Sequence, residues 1–317
     1  MLGFYILLAL ISLAMLYFSG GWIIDGLLKV ARFLKWREFV LAFIIVALAA
    51  TLPNLFVGIA SALHKVPQLS FGDIVGGNVI DLTLIVAIAA LIAGGLPAQS
   101  RTVQTTSLFT IIFACLPIFL ILDGILGRGD GLILIFAYFF YLLWLFSKKE
   151  RFTLVYNDEG HSVLKQFKLF LQSLGKIIVG VLFLVLASEG IVRSSLYFVK
   201  VLNVPISLIG ILVVSLGNSI PEGYFAIVSA KRGYTWMILG DLMGSIIAPS
   251  TLVLGIVSLI CPIQIFDLPH FAIARVFLIL AAIFFFFFVR TGRKVSTKEA
   301  IFLLIFYVLF LLSELFI

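Results

Sequence analysis

Residues 45–84, IVALAATLPNLFVGIASALHKVPQLSFGDIVGGNVIDLTL, decide the fold. Shifted by 168 positions, this stretch aligns without a gap on residues 213–252, VVSLGNSIPEGYFAIVSAKRGYTWMILGDLMGSIIAPSTL, and eleven of the forty pairs are identical. In so apolar a chain, roughly three or four identities would arise by chance. The polar, glycine and proline matches are the informative ones, and they indicate an internal repeat. The identical pairs are Val46/Val214, Leu48/Leu216, Pro53/Pro221, Ile59/Ile227, Ser61/Ser229, Ala62/Ala230, Gly72/Gly240, Asp73/Asp241, Gly76/Gly244, Thr83/Thr251 and Leu84/Leu252.

The composition of the chain makes lipid the solvent for most of its surface. Hydrophobic residues make up 63% of the 317 residues and charged residues 12%, against about 45–50% and about 25% in soluble proteins. These fractions exclude a disordered chain, a secreted disulfide scaffold and a soluble enzyme. The net charge of +7 comes from Lys and Arg in loops beside apolar runs, which argues against a nucleic-acid-binding domain.

Runs of about 20 apolar residues mark membrane-spanning helices. The runs in this chain are continuous and lack the alternation of a transmembrane barrel. We therefore predict an all-α membrane protein with ten transmembrane helices. The predicted spans are 3–28, 38–63, 69–93, 103–122, 129–147, 170–199, 205–230, 235–260, 270–289 and 298–316.

The two copies of the repeat lie five spans apart, so they cross the membrane in opposite directions. We predict two inverted repeats of five helices, 1–147 with its motif at 45–84 and 167–317 with its motif at 213–252, joined by a linker at 148–166. Inverted repeats are the plan of many secondary transporters. Sixteen Lys and Arg lie in loops on the linker side and five on the other side. The positive-inside rule then predicts a cytoplasmic linker and extracytoplasmic termini in a multi-pass protein of the cell membrane.

Pro53 and Pro221 occupy the same position in the two copies, each inside an apolar helix. Proline has no N–H and clashes with the carbonyl four residues earlier, so we predict helix breaks that free the carbonyls of the preceding turn. Bare carbonyls in lipid need a partner, and a cation is a suitable one. The hydroxyl residues two positions earlier, Thr51 and Ser219, add further oxygen atoms.

The second helix of each copy carries carboxylates at membrane depth, where each costs a few kcal/mol or more. Asp73, Gly77 and Asp81 recur every fourth residue and share one helix face. The equivalent face of the second copy consists of Asp241, Ser245 and Pro249.

Asp81 and Glu222 are predicted to lie near the middle of the membrane. We expect them to form a cation site; a structural salt bridge is the alternative, with Lys176 and Arg193 as the nearest cationic candidates by sequence. Asp73 and Asp241 fall closer to helix ends, toward the outer and the inner side respectively, and would line the pathway.

These residues resemble the two alpha-repeats of the cation/calcium exchanger superfamily, which includes the sodium/calcium exchangers. The family pattern is roughly G-[TN]-S-x-P-E followed by G-N-x-x-G-S-N-x-x-[ND]. The second copy matches the first motif at Gly217, Asn218, Ser219, Pro221 and Glu222, and the first copy matches at Thr51, Pro53, Gly72, Gly76, Asn78 and Asp81.

The resemblance implies ten helices with both termini outside and one ion site between the repeats. The implied ion-binding residues are Glu222, Asp81, Asn54, Thr51, Ser219, Asn78, Ser245 and Gly77, with Glu222 and Asp81 as the metal ligands. From the residues themselves we expect Asp73, Asp241 and Asn218 to line the pathway and helix breaks to lie at Pro53, Pro221 and Pro249.

The chain departs from the family pattern at several ligand positions. Asn54 replaces the Glu of the first repeat, and Pro249 replaces the Asp of the second. Asp73 and Asp241 each stand where the family has Asn. Either the set of bound ions differs, or Asp73 and Asp241 have taken over part of the charge. The remaining departures are Gly77 for Ser and Ile246 for Asn.

We expect a secondary active antiporter that exchanges calcium or another divalent cation for sodium or protons. A channel or uniporter, an intramembrane enzyme and a non-transporting degenerate relative are the alternatives. The enzyme lacks support because no His or Cys is placed for a catalytic pair, and the absence of Walker motifs argues against direct use of ATP. We expect no cofactor, since the cations are substrates, and no partner beyond the lipid bilayer and those cations.

Overall fold

The structure is a computed structural model that describes residues 1–33, 38–147, 163–265 and 268–316. Within these ranges the chain is mostly helical, and the helices follow the predicted spans in order. They are α1 (Leu2–Phe33), α2 (Glu38–Leu63), α3 (Gln68–Ile80, continued by Asp81–Ile85 and Val86–Ala93), α4 (Arg101–Leu120), α5 (Arg128–Ser147), α6 (Val163–Leu202), α7 (Ile206–Ile209, Gly210–Val214, Ser215–Asn218 and Ile220–Lys231), α8 (Thr235–Ala248, Pro249–Val253 and Leu254–Ile260), α9 (Leu268–Arg290) and α10 (Thr297–Leu315).

Eight of these helices are long and apolar enough to cross a membrane: α1 and α3 through α9. In α2, the shorter apolar segment Thr51–Leu63 stands out. The last helix, α10, carries Lys298, Glu299 and Glu314 within its 19 residues. The chain is therefore a multi-pass membrane protein, and the count of ten spans stays a prediction.

The backbone repeats the sequence offset of 168 residues in detail. Helix α3 widens into a π-helical turn at Asp81–Ile85, and α8 does so at Pro249–Val253, 168 residues further on. Inside both turns a threonine hydroxyl donates to the carbonyl four residues earlier, Thr83 to Val79 and Thr251 to Ile247. The aligned halves thus share local geometry, including at the position where Pro249 replaces an acidic residue.

The two prolines do not have the same effect. Helix α7 is interrupted by a turn at Ser219, and its last segment starts at Ile220 with Pro221 in the first turn, where a missing N–H costs little. Helix α2 runs through Pro53 without interruption, so the predicted break there is wrong. A Cβ atom added at Gly20 of α1 would lie 3.6 Å from Pro53 Cγ. The proline ring therefore packs beside a glycine of the neighbouring helix, and the helix continues past it.

Four two-residue strands join loops from opposite halves of the chain. β1 (Leu96–Pro97) pairs antiparallel with β4 (Lys294–Val295), and β2 (Ile125–Leu126) pairs antiparallel with β3 (Ile263–Gln264). The sequence analysis did not predict these strands. They tie the loop after α3 to that after α9, and the loop after α4 to that after α8.

Two glycines let α3 lie directly against α7. A Cβ atom added at Gly72 would lie 2.4 Å from the carbonyl oxygen of Ser207, and one at Gly76 would lie 2.3 Å from that of Ile211. These distances are far below van der Waals contact, so only glycine fits. The close approach brings the carboxylates of α3 next to the break in α7.

The hydrophobic core has two main parts. The larger cluster joins α3, α4, α8, α9 and α10, with fully buried residues such as Leu82 and Leu254. A second cluster joins α1, α6 and the adjoining parts of α2, α3 and α7, and includes Leu16, Leu184 and Val57. We call α1 and α6, which pack along each other, the α1–α6 pair. Because this pair packs through a cluster of its own, its contacts are largely separate from the main core.

Candidate functional site

Asp81 lies at the point where α3 widens and faces both α7 and α8. Its side chain is 4% exposed. Ser245 Oγ of α8 donates to Asp81 Oδ2 at 2.7 Å, and Ser219 at the α7 break lies near the same carboxylate. The other oxygen, Oδ1, is buried without a hydrogen-bond partner among the described residues. The structure therefore brings the predicted residues Asp81, Ser219 and Ser245 together.

Glu222 lies in the first turn of the helical segment that follows the α7 break. The carboxyl groups of Asp81, Asp241 and Asp73 lie near enough to act on it electrostatically. Its Oε2 atom is buried and also has no hydrogen-bond partner in the described part of the chain. Two carboxylates thus face one region, each with a buried oxygen that a cation could satisfy.

Asn218 connects three helices at the same level. Its Nδ2 donates to Asn54 Oδ1 of α2 and to Asp73 Oδ2 of α3, both at 2.9 Å. Asp73 is 2% exposed, so it does not line an open vestibule in this structure. Asn54, which replaces the family's glutamate, and Asp73 therefore both accept a hydrogen bond from Asn218.

The remaining predicted residues surround this centre with different contacts. Asn78 Nδ2 donates to Ser250 Oγ at 2.7 Å, which joins α3 to α8. Thr51 is buried in α2, and a Cβ atom added at Gly77 would lie 3.7 Å from Ser219 Oγ. Asp241 is half-buried one turn before Ser245. Pro249 opens the π-helical turn of α8 and is buried.

The described residues contain no group of three or more His, Cys, Asp or Glu side chains close enough to hold a metal ion. A cation at this site would therefore need hydroxyl, amide or carbonyl oxygens beside the two carboxylates. Calcium accepts such mixed oxygen sets. The site supplies hydroxyl oxygens at Ser219 and Ser245.

The two cationic residues that could have neutralised the centre are engaged elsewhere. Lys176 Nζ contacts Asp25 at 3.2 Å, and Arg193 Nε contacts Glu189 at 2.5 Å. Among the residues that the structure describes, no Lys or Arg forms an ion pair with Asp81 or Glu222. The arrangement favours a cation site over a structural salt bridge.

The sequence analysis missed Ser250 as a partner of Asn78. The residue that aligns with it in the first copy is Leu82, so the repeat gave no signal. A serine next to a proline in an otherwise apolar run could have drawn attention to it. The π-helical turns were also not predicted, because the residue pattern of these helices does not indicate them.

The protein is a multi-pass helical membrane protein with two unneutralised carboxylates inside its helix bundle. These features are typical of the class of cation transporters. The chain is a member of the sodium/calcium exchanger family, whose sequence profile, described as "Sodium/calcium exchanger protein", matches residues 4–147 and 172–316. The match covers both halves and leaves out the linker region.

Similar proteins agree with this assignment. The sodium/calcium exchanger MaX1 of Methanosarcina acetivorans is 22% identical, with 96% of this chain and 97% of that protein covered. An uncharacterized membrane protein of Methanocaldococcus jannaschii is 24% identical over 75% of this chain and 76% of its own length. A solved structure of the sodium-calcium exchanger NCX_Mj, soaked with Na⁺ and Sr²⁺, superposes with a TM-score of 0.65 at 23% identity over 99% of both chains. The chain therefore shares the exchanger fold.

Proposed function

We propose that the chain is a secondary active antiporter that exchanges calcium or another divalent cation for sodium or protons. One observation carries this proposal: Asp81 and Glu222 each hold a buried carboxylate oxygen that lacks a partner among the described residues. Charged groups in a membrane interior are costly unless paired, so an ion is the group that would complete the site. Family membership supports exchange as the use of that ion.

In this proposal Asp81 and Glu222 are the charged ligands. The hydroxyl of Ser245 donates to Asp81, and that of Ser219 lies near it; both would share the ion with Asp81. The interruption of α7 at Ser219 supports a contribution from the carbonyls just before Glu222. Thr51, Asn54, Asn78 and Gly77 complete the proposed surroundings of the ion.

We place this site between two inverted repeats, 1–147 and 167–317, connected by a cytoplasmic linker at 148–166 and with both termini outside. The recurrence of the π-helical turns at the repeat offset supports the pairing of the halves. The loop charges support the orientation. The ten spans and the location in the cell membrane belong to the same proposal.

Alternating access would come from movement of the α1–α6 pair against the core, a motion compatible with its separate hydrophobic cluster. Asp73 would lie on the outer pathway and Asp241 on the inner one. An unfilled pair of carboxylates is costly in a dry, occluded state. The protein would therefore change between its two access states only when bound ions neutralise both carboxylates. We therefore expect nearly electroneutral exchange, with two monovalent ions for each divalent ion.

The test is uptake of radiolabelled calcium into liposomes that contain the purified protein, with sodium or proton gradients imposed. The proposal expects uptake that follows a counter-ion gradient and is lost in Glu222→Gln. Asp123→Asn removes one negative charge from an exposed loop residue and is the matched control that should keep the activity. Calcium flux without any counter-ion gradient would point to a channel instead. No gradient-driven flux of calcium, strontium or manganese would refute divalent exchange.

A further inference from the structure

His64 and Arg232 end equivalent helices in the same way. They stand 168 residues apart, at the ends of α2 and α7. The residue after each has a positive φ angle, 61° at Lys65 and 78° at Gly233. The backbone hydrogen bonds of the two turns match one for one: His64, Lys65 and Val66 donate to Ala60, Ala62 and Ser61, and Arg232, Gly233 and Tyr234 donate to Val228, Ala230 and Ser229.

The α1–α6 pair carries a matching set of acidic residues. Asp25 of α1 contacts Lys29 one turn later at 2.8 Å, and Glu189 of α6 contacts Arg193 one turn later at 2.5 Å. The residue after each acid is a glycine packed against the other helix of the pair. A Cβ atom added at Gly26 would lie 3.0 Å from the Ser173 carbonyl oxygen, and one at Gly190 would lie 2.1 Å from Ser12 Oγ. Asp25 and Glu189 are therefore equivalent positions on equivalent helices.

The structure forms the contact between α6 and the end of α2. His64 Nε2 lies 2.8 Å from Glu189 Oε2. The equivalent contact, between Arg232 and Asp25, is not formed among the described residues. Asp25 is instead paired with Lys29 and with Lys176 of α6, while Arg232 is exposed.

Helix packing shows the same asymmetry. Near the His64 end, Gly72 and Gly76 of α3 lie tightly against α7. Their counterparts near the Arg232 end, Gly240 and Gly244, have no described atom within 4 Å of an added Cβ. In the described part of the chain, close packing by these glycines is therefore seen at the end where the ion pair is formed.

We propose that His64–Glu189 and Arg232–Asp25 are reciprocal salt bridges, of which one is formed at a time as the α1–α6 pair moves between its two positions against the core. We call them the first bridge and the second bridge. This inference rests on the proposed alternating-access function. In the alternate state the second bridge forms and the first bridge opens. Exposed ion pairs contribute little free energy, so each bridge biases the equilibrium without trapping the carrier.

Cross-linking tests the proposal on the full-length protein in a Cys115→Ala/Cys261→Ala background. One pair is His64→Cys with Glu189→Cys, and the other is Asp25→Cys with Arg232→Cys. A bifunctional methanethiosulfonate reagent should link either pair in separate molecules. In a variant with all four cysteines, linkage of one pair should exclude linkage of the other. Each link should slow exchange roughly tenfold or more, because one of two required states is removed, and a reductant should restore it.

The control pair lies within the α1–α6 pair, where Tyr5 and Tyr197 stack at 3.9 Å between ring centroids. Tyr5→Cys with Tyr197→Cys should cross-link without slowing exchange, because both helices move together. Failure of the second pair to link under any ion condition, or both links in one molecule, would overturn the reciprocal bridges. Mutual exclusion of the two links is measured by gel electrophoresis and does not require transport activity. If the exchange proposal fails, unmodified protein will show no flux, and this result is distinct from the cross-linking result.

Discussion

Replacement of Gly76 by alanine should destabilise the protein by an amount that can be worked out from its packing. The added Cβ atom would lie 2.3 Å from the Ile211 carbonyl oxygen and 2.8 Å from Ser215 Oγ. A carbon–oxygen contact is normally about 3.3–3.6 Å, so the overlap is about 1 Å against a backbone atom that cannot rotate away. Overpacking of this kind costs about 1–3 kcal/mol.

A gain partly offsets that cost, because alanine in a helix is favoured over glycine by about 0.5–1 kcal/mol. The net loss for Gly76→Ala should be about 0–2.5 kcal/mol, which corresponds to a fall in Tm of up to roughly 10 °C. Gly175→Ala is the matched control, since Gly175 is exposed within α6, no described atom lies within 4 Å of its added Cβ, and the helix gain remains. Thermal unfolding of purified protein in one detergent measures both variants.

The same substitution should also weaken the site. Asp81 is five residues beyond Gly76 on α3, so a displacement of α3 from α7 moves its carboxylate away from that of Glu222. Calcium uptake by Gly76→Ala should fall even when measured well below its Tm. A Tm for Gly76→Ala equal to that of Gly175→Ala would refute the predicted overlap with α7.

Three further predictions concern the ligands and the orientation. Ser245→Ala removes the donor at 2.7 Å from Asp81 and should weaken calcium binding by roughly tenfold, the value of one charge-assisted hydrogen bond; unchanged affinity in calorimetry would contradict this. Asn54→Glu adds a carboxylate beside the centre and should tighten calcium binding, so weaker binding would argue against position 54 as part of the site. A membrane-impermeant thiol reagent should label Asp123→Cys but not Arg290→Cys in intact cells, and the opposite pattern would reverse the proposed orientation.

The repeat was accessible from sequence because each copy keeps the residues that its geometry requires. Gly72 and Gly76 are kept because a side chain at either position would collide with α7. Asp81 and Glu222 could be identified because a carboxylate in an apolar membrane helix is energetically costly and therefore indicates a functional site. The structure then brought them together with Ser219 and Ser245, as expected for residues at equivalent or neighbouring repeat positions.

Other features depended on contacts that a single sequence does not encode. Pro53 was expected to break its helix, but it is accommodated beside Gly20 of α1, and that packing could not be known beforehand. The contact between His64 and Glu189 joins residues 125 positions apart. His64 directly follows the end of α2 and Glu189 lies inside α6, so no spacing in the sequence marked them as a pair.

Equilibrium binding of radiolabelled calcium to the purified protein tests most directly whether Asp81 and Glu222 form the exchanged-ion site. The account predicts saturable binding of one calcium ion per chain that sodium or protons displace, and loss of that binding in both Asp81→Asn and Glu222→Gln. Asp123→Asn should bind as the unmodified protein does. Calcium binding of undiminished stoichiometry and affinity in Asp81→Asn and Glu222→Gln would contradict the account.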